Sequence, residues 1–258
     1  MSLNRLFISF ITTLVLWASI GCGSGRHITV ESTHRLSPGE FTLGYQDTKN
    51  AQAAGYSEQL TFTGRFADKG RLYARLFITN MAGGNGRAEL NIRITTPEGR
   101  TKAYKVTRKK GSWTYTRGEF DILVGGNRIR FVQGEAQLTL RGPEIEADLS
   151  ITSDLPAFRP SGEGTQFGEG YYYQTTVLFP RGHIEGVVRL TSEAESDEDI
   201  EVEGTVFAEH RLGNMALYTM SKRWVQVKDI GSDRTFVLSA FQRAERLGGR
   251  VHAWMFVA

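Results

Sequence analysis

Residues Gly204 to Trp224 read GTVFAEHRLGNMALYTMSKRW. Val206 and Ala208 alternate with Phe207 and Glu209, the period of two that belongs to a β-strand. The stretch sets Glu209, His210 and Arg211 side by side and turns at Gly213-Asn214. It then re-enters an apolar strand that ends in Arg223-Trp224. Phe179 to Gly186 (FPRGHIEG) has the same character. Burying such ionisable groups costs roughly several kcal/mol each unless every charge is paired. Both stretches are therefore expected in the wall or closed end of a ligand-holding β-structure.

Working outward, strand-like text fills the chain from Glu58 onward. Leu60 and Phe62 alternate with Thr61 and Thr63, and Leu90, Ile92 and Ile94 alternate with Asn91 and Arg93. Turn signals separate the runs, among them Asp68-Lys69-Gly70, Gly83-Gly84-Asn85-Gly86, Pro97-Glu98-Gly99 and Gly125-Gly126-Asn127. A spacing of about 10 to 17 residues predicts an antiparallel sandwich or barrel. Strands are expected at Trp113 to Val124, Tyr171 to Phe179, His183 to Leu190, Ile200 to Glu209, Ala216 to Lys228, Arg234 to Ala240 and Arg250 to Val257, and no long amphipathic helix. Leu155 to Gly170 breaks the pattern with two prolines and four glycines. Loops of that length serve as lids or binding loops, or simply cross the surface. The acidic run Glu193 to Glu201 lacks the spacing of a calcium loop and reads as a solvated hairpin tip.

The first 21 residues have the layout of a secretory signal: Arg5, the apolar run Leu6 to Trp17, then Ala18-Ser19-Ile20-Gly21. Gly21 before Cys22, the only cysteine, resembles the lipobox of bacterial lipoproteins. Residues 1–21 are thus expected to be a lipoprotein signal peptide, and 22–56 a lipidated Cys22 with a tether that includes His27 and His34. Residues 57–258 are expected to form one β domain. Gly23 after the cysteine points to the outer membrane, facing the periplasm. A lone cysteine leaves the fold without a disulfide. Past the signal the chain carries 30 basic and 28 acidic residues. Phosphate binding needs clustered positive charge, so nucleic acid is not an expected partner.

Three histidines lie in strand-like text: His183, His210 and His252. None has the short regular spacing of a metal motif, and no Walker loop, G-x-S-x-G elbow or H-E-x-x-H is present. No metal or cofactor is expected. Neighbours on a strand face opposite sides, which weakens a Glu209-His210 dyad. A cross-strand cluster of Arg181, Glu185 and Arg223 with Glu209 or His210 fits better, either as a structural ion network or as a site.

Phe-Pro-Arg-x-x-Ile-Glu-Gly at 179–186, Gly-x-x-x-x-x-His-x-x-x-x-Met at 204–215 and Arg223-Trp224 resemble the N-terminal domain of the fungal oxidative-stress survival-factor family. That family is related to the hydroxyneurosporene synthase and AttH-type lipocalin-like proteins. The resemblance spans residues 56–258. It implies an all-β, antiparallel, lipocalin-like (calycin-type) barrel or strongly curved sandwich, and handling of a lipid such as a sphingolipid or ceramide. Those relatives usually carry two such domains in tandem.

The main functional expectation is a lipid-binding or lipid-transfer lipoprotein, anchored to the membrane through Cys22. Arg181, Glu185, His210, Arg223 and Trp224 would shape the cavity end or meet the head group. The alternatives are a hydratase or isomerase on an isoprenoid or similar apolar substrate, with Glu209 or His210 as general acid, and a structural envelope protein with a filled barrel.

Overall fold

The computed structural model describes residues 34–36, 41–160, 164–167, 170–191, 198–231 and 234–257. The signal, Cys22, His27 and most of the acidic run lie outside these residues.

Alternation sets the sheet. In the strand Arg71–Thr79, Leu72, Ala74, Leu76 and Ile78 are buried while Arg71 and Tyr73 are exposed. One face thus turns to a core and the other to water, each fully buried Leu or Ile being worth about 1.5–3 kcal/mol over the exposed state. The described strands are β1 (His34–Arg35), β2 (Ser57–Phe66), β3 (Arg71–Thr79), β4 (Arg87–Thr95), β5 (Thr101–Arg108), β6 (Thr114–Tyr115), β7 (Asp121–Val124), β8 (Asn127–Val132), β9 (Glu135–Arg141), β10 (Ile145–Thr152), β11 (Phe158–Arg159), β12 (Thr165–Gln166), β13 (Tyr172–Leu190), β14 (Glu198–Gly213), β15 (Ser221–Ile230), β16 (Thr235–Arg243) and β17 (Val251–Val257). Two short helices, α1 (Thr48–Gln52) and α2 (Leu217–Met220), interrupt them.

The main sheet is antiparallel, with the order β5-β4-β3-β2-β14-β13-β10-β9-β8-β7-β6, and it curls into a half-barrel. Side chains join the wings: Tyr104 on β5 donates to Asn127 Oδ1 on β8 at 2.6 Å, and Lys102 meets Glu144 at 2.6 Å. Leu60, Phe62, Leu76, Ile92, Leu138 and Leu149 share one core between the wings. This is the expected lipocalin-like, all-β architecture.

Three local features depart from the alternation. First, β13 is one long strand where two were expected. It crosses Pro180 by register shifts between Val177 and Phe179 and between Phe179 and Gly182. A proline cannot donate to the ladder, so it sits at a bulge. The bulge sends the adjacent Leu178 and Phe179 both into the core. Second, residues 217–220 form α2 rather than strand, where the chain leaves the main sheet for the small sheet β15-β16-β17. Third, the stretch 113–124 splits into β6 and β7 around a turn at Gly118, whose φ is 83°.

The small sheet covers the outer face of β13 and β14. Val177, Phe207 and Val237 form one buried cluster there, and Phe167, Met215, Met220 and Phe241 another. Its far side carries Val225, Val227, Met255 and Val257 to solvent.

Residues 41–56, in the stretch assigned to the tether, are part of the body. Leu43, Tyr45 and Tyr56 are buried, and the segment crosses the end of the half-barrel where β2 begins and β14 finishes. Asp47 caps α1 by accepting from Lys49 N at 2.8 Å.

Candidate functional site

On β14, Val206, Ala208, His210 and Leu212 face the interior while Phe207 faces the small sheet. Glu209 and His210 therefore lie in different compartments, as the backbone geometry requires.

His210 is 3% exposed, and its Nε2 lies 2.6 Å from Glu58 Oε1. Glu58, 1% exposed, also accepts from Gly44 N at 2.8 Å, Tyr45 N at 2.9 Å and Tyr56 Oη at 2.8 Å. Two donors reach each oxygen, which fills the acceptor sites of a carboxylate. His210 Nε2 is thus a donor, and Nδ1 is the atom left to handle a proton. Among the described residues Nδ1 has no hydrogen-bond partner. This is the orienting arrangement in which a carboxylate fixes the tautomer of a histidine. Burial raises the Tyr56 hydroxyl above its ordinary range, and the charge and hydrogen bond of Glu58 raise it further, so it remains a donor. Gly44 permits the close approach of the segment: a Cβ there would lie 2.7 Å from Tyr56 Oη and 2.8 Å from Leu212 Cδ2.

His210 borders one cavity directly and approaches a second through Phe41. A polar one of about 310 Å³ is lined by His210, Asn50, Arg159, Tyr172, Gln174 and Thr176. The Tyr172 hydroxyl donates to Asn50 Oδ1, and burial raises it to about 12. An apolar one of about 370 Å³ is lined by Phe41, Phe120, Phe131, Pro156, Leu178 and Phe179. Phe41 belongs to both walls. Its ring stacks on Phe120 at 4.5 Å and meets His210 edge-on at 4.9 Å. Leu155, Pro156 and Ala157 bring part of the Pro/Gly-rich stretch into the apolar wall.

The other expected residues fall elsewhere. Glu209, 1% exposed, lies between the sheets, bound by Lys228 Nζ at 2.5 Å, Arg211 Nη2 at 2.7 Å and Gln226 Nε2 at 3.1 Å. Burial alone would raise its carboxyl, but Arg211 and Lys228 outweigh burial and hold it below the ordinary range. Trp224 stacks on Phe241 at 5.3 Å and under Arg211 at 5.2 Å, outside the half-barrel. Arg223 is exposed on β15, and Glu185 is exposed beside His183 at 3.5 Å. Arg181 lies at the bulge of β13, where its carbonyl accepts from Ser153. The five residues expected to act together are thus spread over three places, and only His210 lines the two-cavity site.

Sequence reading missed Glu58, which lies 152 residues from His210. The signal was present in its parity: Glu58, Leu60 and Phe62 share one face of β2, so an inward carboxylate was legible. Among the described residues no group of three or more His, Cys, Asp and Glu side chains is placed to hold a metal.

No protein-family model and no curated protein matches the chain. Solved structures do match. CghA superposes with a TM-score of 0.58 at 12% identity, over 89% of this chain and 64% of that one. The structure of CghA with Sch210972 gives 0.56 at 10% identity, over 79% and 58%. An AttH-like protein from Nitrosomonas europaea gives 0.56 at 14% identity, over 86% and 74%. This chain has the AttH-type lipocalin-like fold. Kievitone hydratase from Nectria haematococca shares it, with a TM-score of 0.56 at 16% identity, over 88% of this chain and 71% of that one. At such identities the likeness is one of fold. The chain spans less than two thirds of the length of CghA. None of these structures bears on the fungal survival-factor side of the resemblance.

Proposed function

We propose that this chain is an acid/base enzyme that adds or removes water, or shifts a double bond, on a small apolar substrate. The observation that carries the reading is His210, fixed by the buried Glu58 carboxylate in the wall of the polar cavity and packed against Phe41, which also lines the aromatic one. The Nδ1 of a protonated His210 delivers a proton to one carbon of a C=C bond. The faces of Phe41 and Phe120 stabilise the positive charge left on the other carbon. Water then attacks that carbon and returns its proton to His210, which completes hydration. Loss of a neighbouring C–H proton to His210 completes isomerisation instead. Similarity of fold to kievitone hydratase supports this reading over lipid carriage. So do the two cavity volumes, which lie at the low end of the roughly 300–1,000 Å³ range of small-molecule sites and suit a ring better than a two-chain lipid. The envelope location is part of the proposal and rests on the sequence around Cys22.

The test is turnover of a panel of isoprenylated phenols and other ring-bearing alkenes in H₂¹⁸O and in D₂O, followed by mass spectrometry. Hydration puts ¹⁸O into the product, and isomerisation puts deuterium into recovered alkene. Both are lost in His210→Gln. Label incorporation that is absent from the wild type, or unchanged in His210→Gln, sinks the proposal.

A further inference from the structure

The polar cavity holds a cation that the proton chemistry does not use. Arg159 lies on β11, whose Phe158 pairs with Val177 of β13. That register sets Arg159 beside Thr176, and Thr176 pairs in turn with His210 on β14. Arg159, Thr176 and His210 therefore form a row across three adjacent strands, on one face, and all three line the same cavity. Adjacent strands lie about 4.8 Å apart, so the Cα atoms of Arg159 and His210 are about 10 Å apart. A guanidinium and an imidazole reaching inward from those positions leave room for a few ligand atoms between them.

Arg159 is half-buried, and among the described residues its side chain forms no ion pair or hydrogen bond; its Nε is buried without a partner. Among the described residues the one acidic side chain lining this cavity, Asp47, is engaged at the cap of α1 through Lys49 N. Two other half-buried arginines, Arg211 and Arg75, have unpartnered Nε atoms too, but each is matched through its Nη2, by Glu209 and by Glu89. A cation withdrawn from water without a counter-charge is costly, and the cost is offset when a ligand brings the anion. Guanidinium suits a planar oxyanion because its N–H groups pair with two oxygens at once.

We propose that Arg159 anchors an oxyanion of the ligand, so that the substrate is a small apolar, ring-bearing molecule carrying one carboxylate or an equally acidic enol or phenol oxygen. The oxyanion sits on Arg159, with Gln174 and Thr176 beside it. The reacting carbon lies at His210, and the ring lies past Phe41 among Phe120, Phe131 and Phe179. This rests on the acid/base reading of His210 for its orientation, but the anion site itself is read by binding alone.

The experiment compares 2-naphthoate with its neutral isostere 2-naphthamide by isothermal titration calorimetry on the intact chain. The wild type is expected to bind the carboxylate at least tenfold more tightly than the amide, with a preference that shrinks as salt rises. Arg159→Gln should abolish the preference and Arg159→Lys should keep part of it. A 2-naphthol titration across its ionisation distinguishes phenolate from carboxylate recognition. His210→Gln, which removes proton transfer, should leave the carboxylate preference intact, so that loss of catalysis and loss of the anion site are read separately. Equal binding of acid and amide by the wild type, binding of neither, or a preference that survives Arg159→Gln overturns the proposal.

Discussion

Replacing Glu209 with Gln keeps the shape of the residue and removes its charge. The change falls where β14 meets the small sheet. The Glu209 side chain is 2% exposed, and its two cationic partners, Arg211 and Lys228, are 14% and 17% exposed. Taking one member from a buried ion pair costs about 3–5 kcal/mol, because the remaining charge stays buried and unmatched. Two features set the value at the low end. Both cations keep some contact with water. Burial also pulls the Lys228 ammonium below its ordinary range even with Glu209 in place, so without Glu209 it sheds its proton readily. The expected loss is about 3 kcal/mol, a fall of roughly 6–12 °C in Tm for a domain of this size. The double variant Glu209→Gln, Lys228→Met should recover at least about 1 kcal/mol of it, since no unmatched ammonium remains. The sign with pH follows from the depressed carboxyl of Glu209. Its folded value lies below the unfolded one, so its contribution is complete above the unfolded value of about 4.3 and disappears as pH falls through the folded value. Urea unfolding of the wild type and both variants between pH 7 and pH 3 is the assay. Turnover by Glu209→Gln should persist below its Tm, because Glu209 faces away from both cavities. A loss under about 1 kcal/mol, or a gap between wild type and variant that does not narrow below about pH 4, would refute the assignment of Glu209 as a buried ionic brace.

Glu58→Ala leaves two backbone N–H groups, Tyr56 and His210 without their acceptor, at about 1–3 kcal/mol for each group that water does not reach. Amide exchange at Gly44 and Tyr45 should accelerate at least tenfold by NMR, and unchanged protection contradicts the pairing. Gly186→Ala should cost about 2 kcal/mol in thermal unfolding, because φ is 144° there and the new Cβ would lie 2.1 Å from Asp148 O. A neutral result would mean that β10 and β13 are not closely paired at that point. Trp224→Ala should lower stability in urea by about 2–3 kcal/mol through loss of the stack on Phe241, with turnover retained. Loss of turnover at full stability would restore Trp224 to the ligand site.

The sequence by itself determined the faces. Period-two text at residues 204–212 already argued against Glu209 and His210 sharing an interior, and the structure places them on opposite sides of β14. The all-β class and most hairpins follow from the same local rule, because alternation is imposed by backbone geometry within a few residues. The tertiary structure alone decided what each side chain meets. That Glu58 joins His210, that Lys228 answers Glu209 and that Arg159 aligns with Thr176 depend on which strands lie side by side and in what register. The extra residues at the Pro180 bulge and the helical turn at 217–220 broke the local rule for a non-local reason. There the chain must bend around a core or cross between sheets, and those packing demands are set by residues that only the fold brings alongside.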